Sequence, residues 1–234
     1  MASRILVVTA VAAERDAVVG ALGGARIDRA GRYPRWLVAS GAGETAVVSC
    51  GVGPASAAAG TATLLALMPY DLVICAGIGG AFAPRARVRD VVVANRIVHA
   101  DLGAESPSGF VALHELGFGE TEHELSPELV TVAADRSGAK VGPILTVSTA
   151  TGTAGRAALL AARHTAVAEA MEGAGVYAAT RPNRVSMLEI RGLSNVVGRR
   201  DLATWDIPGA LAATGAAVAA LLAEELPRTE EAPP

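Results

Sequence analysis

Few side chains in this 234-residue sequence could do chemistry, and they stand out against apolar surroundings. Between Ala168 and Asp201 the chain reads AEAMEGAGVYAATRPNRVSMLEIRGLSNVVGRRD. Glu172 follows Met171 and opens a small-residue helix, Gly173-Ala174-Gly175 onward. A carboxylate in so apolar a setting is costly unless it accepts hydrogen bonds. Paired sugar hydroxyls would supply them, and the small neighbours leave room for a ligand; capping the helix start is the plainer use. Ser194-Asn195 ends the apolar run from Val185. An amide carries donors and an acceptor, so it can read one edge of a heterocycle, or it can cap a turn. Glu189 and Arg191 alternate onto one face of that run and can pair with each other, their role left open. Glu14 stands at the start of a helix, four residues after an apolar strand. There it either complements the helix dipole, as Asp16 would, or waits at the sheet edge to take a proton from water. Taken alone, the first account is the simpler.

Other motifs exclude chemistry. Gly77-Ile78-Gly79-Gly80 ends the strand DLVIC, where backbone must approach something closely. Its spacing is not that of a dinucleotide fold, and no Lys-Ser/Thr follows to make a phosphate loop. A tight turn explains it as well as a ligand does. His99, His114, His123 and His164 have no metal-ligand spacing, and Cys50 and Cys75 lack ligating neighbours, so no metal is expected. There is no Gly-x-Ser-x-Gly elbow for a serine hydrolase.

The elements that must position these residues follow from periodicity. Strands are expected at 4–10, 45–50, 71–75, 89–99, 141–147, 166–169 and 185–193, with a hairpin over 26–40. Helices are expected at 12–22, 55–68 (with Pro54 at its first position), 127–136, 155–163, after Met171, and at 207–225. Residues 101–124 carry no clear pattern. Alternation of strands and helices implies a single α/β domain over residues 1–226, with a central, mostly parallel mixed sheet flanked by helices. Residues 227–234 read as a flexible tail. In such folds ligands sit beyond the carboxyl ends of the strands. The chain is 51% hydrophobic and 18% charged with a net charge of −3, so it offers no basic face for nucleic acid and no polybasic membrane patch. The apolar run Ile5 to Val8 is too short for a signal sequence, and free thiols suit a reducing compartment, so a cytoplasmic protein is expected.

Taken together, several stretches in order resemble the nucleoside phosphorylase and nucleosidase superfamily. They are the strand before Glu14, DLVICAGIGGAFAP, RDVVVANRIVHAD, the AMEG turn and RGLSN. HADLGAE, LGFG, TVSTATG and EIRGLSNVVGRRDLATWDI are similar to the hydrolytic branch: methylthioadenosine/S-adenosylhomocysteine nucleosidases and, more closely, futalosine hydrolases. The resemblance implies that Glu14 activates the attacking water and that Met171 and Glu172 hold the ribose. Asn195 falls where adenine-specific nucleosidases carry an aspartate, and 6-oxopurine phosphorylases of the superfamily use an asparagine there, which implies a hypoxanthine leaving group. Phosphorylases place a hydroxyl residue where this chain has Gly77, Ile78 and Gly79, and an arginine in the loop where it has Thr9 to Ala13, so water is the implied acceptor. Gly77, Ile78, Gly79, Ser194 and Asp201 are further substrate-binding candidates, Asp201 also as a proton source for the base. Arg156, Arg199, Arg200 and His114 are candidates for a substrate carboxylate. No cofactor or metal is implied. The partner is a small nucleoside, and the chain is expected to be a homo-oligomer. Alternatives are a methylthioadenosine/S-adenosylhomocysteine or inosine nucleosidase, or a non-catalytic nucleoside-binding protein.

Overall fold

A computed structural model describes residues 3–227, so the tail expected from residue 227 lies, but for Pro227, outside the described residues. In chain order the elements are β1 (Ser3–Thr9), α1 (Ala12–Ala21), β2 (Arg26–Ala30), β3 (Tyr33–Ser40), β4 (Gly43–Ser49), α2 (Pro54–Leu67), β5 (Leu72–Ala81), β6 (Val91–His99), β7 (Gly103–Ser106), β8 (Gly109–Ala112), β9 (Glu122–Glu124), α3 (Pro127–Ser137), β10 (Lys140–Thr146), α4 (Ala154–His164), β11 (Ala168–Ala170), α5 (Gly173–Thr180), β12 (Ser186–Val196) and α6 (Ile207–Leu221). The β-branched runs form the central strands because their stiff side chains suit a pleated sheet buried on both faces. Val73, Ile74, Leu188 and Ile190 are fully buried there.

One mixed sheet organises the domain, in the order β11-β10-β6-β12-β5-β1-β4-β3-β2, with β9 beside β6. Its centre is parallel: β1 pairs with β4 and β5, and β5 with β12. β6 runs antiparallel to β12 but parallel to β10. β11 pairs with β10 and also, antiparallel, with the far end of β5. These pairings close β5, β12, β6, β10 and β11 into a ring, whose residues Val98 and Leu145 belong to a second, smaller core cluster with Phe82, Val147, Ala166 and Val197. Among the described residues no helix is long and apolar enough to cross a membrane.

Three sequence expectations are corrected. The glycine run 77–80 is not a turn: β5 continues through it to Ala81, because β12 and β11 supply pairing partners on both sides. β12 likewise runs on to Val196, so Ser194 and Asn195 lie inside the strand, at a register shift between Leu193 and Asn195. The unassigned stretch 101–124 holds the β7–β8 hairpin and β9, whose pairing with β6 is not local in sequence.

Small residues let helices approach closely. Gly175 of α5 lies where a Cβ would come within 2.0 Å of the Pro54 carbonyl oxygen at the start of α2. On α6, Thr214 Oγ1 accepts from Gly192 N–H (3.0 Å) and lies 3.0 Å from the Gly77 carbonyl oxygen, tying the helix to β12 and β5. Gly175→Ala should therefore force α2 and α5 apart and cost about 1–3 kcal/mol, read as a lowered denaturant midpoint at unchanged slope.

Candidate active site

The site is built around Arg191, a guanidinium with 1% exposure in the middle of β12. Its Nε and Nη2 meet Glu189 Oε1 at 3.0 and 2.9 Å. Nη1 meets Glu172 Oε2 at 3.1 Å, and Nη2 lies 3.1 Å from Cys75 Sγ. Burial opposes its charge, but Cys75 and the carboxylates of Glu189, Glu172 and Glu14 outweigh burial and hold its pKa well above the ordinary value. Glu189 is pushed up by its own burial and pulled back by Arg191. Its Oε2 has no hydrogen-bond partner and faces Gly173, where a Cβ would come within 2.1 Å. The alternation of Glu189 and Arg191 signalled their mutual pairing in the sequence, but not the reach of Arg191 to Glu172.

Glu172 sits at the N-cap of α5, 5% exposed. Its Oε1 accepts from Gly53 N–H (3.1 Å), which belongs to the loop after β4 and has φ +91°, open to glycine and strained for other residues. Its Oε2 accepts from Met171 N–H (3.3 Å). Met171 is half-buried against the smaller core cluster.

Glu14 both caps its helix and reaches the sheet. As the third residue of α1, it accepts from Ala10 and Val11 N–H at 2.9 and 3.2 Å through Oε2, which caps the helix. Oε1 reaches across to β5 and accepts from Ile78 N–H (2.9 Å). A Cβ on Gly77 would lie 2.4 Å from Glu14 Oε1 and 2.7 Å from Arg191 Nη1, so both groups border the same glycine. The fold thus brings Glu14, Glu172, Arg191, Gly77 and Ile78 together from four separate parts of the chain.

Asn195 and Ser194 form a second, uncharged end. Ser194 is fully buried, and its hydroxyl lies 3.2 Å from Gly79 O and 2.9 Å from Asn195 Oδ1, orienting the amide. Asn195 Nδ2 donates to Val196 O (3.1 Å), which leaves its second N–H and an Oδ1 lone pair for a ligand. Gly79 passes close to the Glu169 carbonyl oxygen, 2.9 Å from where a Cβ would stand. The Ser194 carbonyl accepts from Asp206 N–H (2.8 Å), and Asp206 pairs with Arg89, whose hydrogen bond draws the Asp206 pKa down.

Other candidates lie apart. Asp201 is exposed and accepts from Ala203 N–H (3.2 Å), capping a 3₁₀ turn over Leu202–Thr204; none of its hydrogen bonds reaches Asn195. His114, Arg199 and Arg200 are exposed, and Arg200 lies over the Trp205 ring. Arg156 is half-buried with Nη2 3.7 Å from Asp101. Among the described residues no group of three or more His, Cys, Asp and Glu side chains could hold a metal ion.

Comparison with known proteins fits this arrangement. The family model of the phosphorylase superfamily matches residues 4–226. A futalosine hydrolase of Streptomyces coelicolor is 49% identical over 230 residues, covering 93% of this chain and 94% of that protein. Another, from Acidothermus cellulolyticus, is 44% identical over 228 residues, covering 94% and 91%. In fold the chain is similar to the native futalosine hydrolase of Helicobacter pylori (TM-score 0.82, 18% identity, 94% of this chain and 97% of that one). It is equally similar to an S-adenosylhomocysteine nucleosidase of Streptococcus pyogenes (TM-score 0.83, 21% identity, 95% and 97%).

Removing Arg191 would leave buried carboxylates without their counter-charge. Arg191→Met should lose about 3–5 kcal/mol of stability near neutral pH. A carboxyl whose folded pKa is raised destabilises the fold above that value, and the penalty is relieved as pH falls through it. Glu189, no longer held down by Arg191, should therefore make the deficit larger at about pH 8 than at about pH 5, as denaturant unfolding of both proteins at the two pH values would measure.

Proposed function

The chain belongs to the phosphorylase superfamily, and from that premise we propose that it hydrolyses the N-glycosidic bond of futalosine, releasing hypoxanthine and dehypoxanthine futalosine, a step toward menaquinone. The observation that carries the reading is the identity of 49% and 44% to two futalosine hydrolases, over nearly the full length of each.

The arrangement suits that reaction. An N-glycosidic bond breaks through an oxocarbenium-like transition state, which needs negative charge beside the sugar and stabilisation of the departing base. Glu14 is held by three N–H groups, and Oε1 takes only one of them, which leaves it a lone pair for a water. A water there would give its proton to Oε1 as its oxygen attacks the anomeric carbon. Glu172, fixed by Gly53 N–H and Arg191, would accept from the ribose hydroxyls more strongly as positive charge develops. Asn195 would donate its remaining N–H to the purine and accept from a protonated ring nitrogen, the pattern a 6-oxopurine presents. It has no proton to transfer, so solvent protonates the departing base. No hydroxyl stands at residues 77–79, so nothing there would hold phosphate in place of water.

A homo-oligomer and a cytoplasmic location belong to the same proposal. Exposed Val52, Leu159 and Phe118 support the first by giving a partner apolar surface, and the free thiols Cys50 and Cys75 agree with the second.

Purified protein given futalosine, inosine and methylthioadenosine should release base from futalosine alone, without need of phosphate, as followed by chromatography. Phosphate-dependent turnover, or release from methylthioadenosine instead, would overturn the assignment. Glu14→Gln should lower kcat about 10²-fold or more while the protein stays folded. Asn195→Asp should lower kcat/KM for futalosine about tenfold or more, because a carboxylate cannot donate to the base as the amide does.

A further inference from the structure

The buried carboxylate of Glu169 has no part in the mechanism above, and its surroundings are specific. Glu169 sits in β11, 7% exposed, two residues before Met171. Its Oε1 accepts from Thr151 N–H at 2.8 Å, and its Oε2 from Thr151 Oγ1 at 2.5 Å. Burial raises its pKa, and the two bonds from Thr151 work in the opposite direction. A buried carboxyl is costly unless it is hydrogen-bonded, and here one residue, Thr151, engages both of its oxygens.

That geometry concerns the loop between β10 and α4. Val147 begins it, with its N–H on Ala170 O (3.0 Å) and its side chain in the smaller core cluster. Thr151, buried, is the second anchor. Between them Ser148, Thr149 and Ala150 are exposed, and Thr149 and Ala150 take no backbone hydrogen bond among the described residues. The loop leaves the carboxyl end of β10, as the Met171-Glu172 turn leaves that of the parallel β11, and both strands run antiparallel to β5 and β12. It runs beside the Met171-Glu172 turn, since Thr146 is in register with Ala170. Glu169, which holds the loop, lies two strands from Asn195. Gly80 pairs with Glu169 on one side and Asn195 on the other, about 10 Å apart by two strand spacings. Val197, two residues beyond Asn195, packs in the same cluster as Val147 and Met171.

We propose that Glu169 is a positioning residue: by gripping Thr151 it sets the 147–151 loop as the wall that confines the purine opposite Asn195. The free backbone groups of Thr149 and Ala150 then offer a donor and an acceptor to the polar edge of the base, and the grip determines where they point. The inference rests on the proposed purine-nucleoside reaction for its ligand, but the grip itself can be tested without turnover.

Two variants test it, Glu169→Ala and the milder Thr151→Val, with Glu169→Gln as the conservative control. Hydrogen exchange should quicken in residues 147–153 of Glu169→Ala while β5 and β12 keep their protection. KM for futalosine and the dissociation constant of hypoxanthine should each rise about tenfold in Glu169→Ala, and less in Thr151→Val, with kcat changed under about threefold. Glu169→Gln, whose amide can still accept from Thr151 N–H and donate to Oγ1, should recover most of the affinity. Unchanged exchange in the loop, or a loss confined to kcat, would overturn the proposal, and so would a loss of affinity accompanied by weakened protection throughout the sheet. If the native protein binds hypoxanthine but leaves futalosine intact, the hydrolase assignment fails, while exchange and base affinity still decide the role of Glu169.

Discussion

A buried guanidinium in the middle of a buried strand leaves the surrounding chain little freedom. Arg191 meets Glu189 and Glu172 directly and lies beside Cys75 and Glu14. Desolvating such a charge costs several kcal/mol, and only close carboxylates in good geometry offset it. Each partner comes from a different element, so the requirement links β12 to the β11–α5 turn and, past Gly77, to α1. The neighbouring glycines follow from the same need. A side chain at Gly77 would overlap Glu14 and Arg191, and one at Gly173 would overlap Glu189. A structural ion pair thereby aims the Glu172 carboxylate, and Glu14 Oε1 keeps an uncommitted lone pair.

The site divides into a charged half and a neutral half. Carboxylates gather around Arg191, whereas Asn195 is held by a hydroxyl and by a backbone carbonyl. On the proposed reaction this division has a physical purpose. A sugar acquiring positive charge is stabilised by anions, and a base acquiring negative charge is stabilised by donors that carry none. The neutral half is fixed from behind, because Ser194 bridges Asn195 to Gly79 and its carbonyl receives the Asp206 N–H.

Much of this was legible from residue types. The β-branched runs, the proline opening α2 and the glycines after α1 marked elements to within a few residues, because those signals act on the backbone nearby. Glu172 and Asn195 stood out as polar residues in apolar sequence, whereas Glu14 gained its role only from the family resemblance, which several stretches in order carried. The glycine run misled because glycine serves equally in a turn and in a strand crowded by its neighbours. Only the crowding by Glu14, Arg191 and Val197 tells the two apart. Asp201, an acid near the site in sequence, caps its own 3₁₀ turn, a local contact that its place in the sequence did not show.

The sequence by itself therefore determined the element types, the α/β class and the inventory of reactive groups, since these depend on local backbone preference and side-chain chemistry. It also determined that Glu189 and Arg191 share a face, a consequence of the two-residue strand period. Tertiary structure alone decided which groups meet. The Arg191–Glu172 pair, the Ile78 N–H on Glu14 and the Thr151–Glu169 grip join residues 19, 64 and 18 positions apart. Such contacts depend on strand order and register, which side-chain burial across the whole sheet sets and no local pattern encodes.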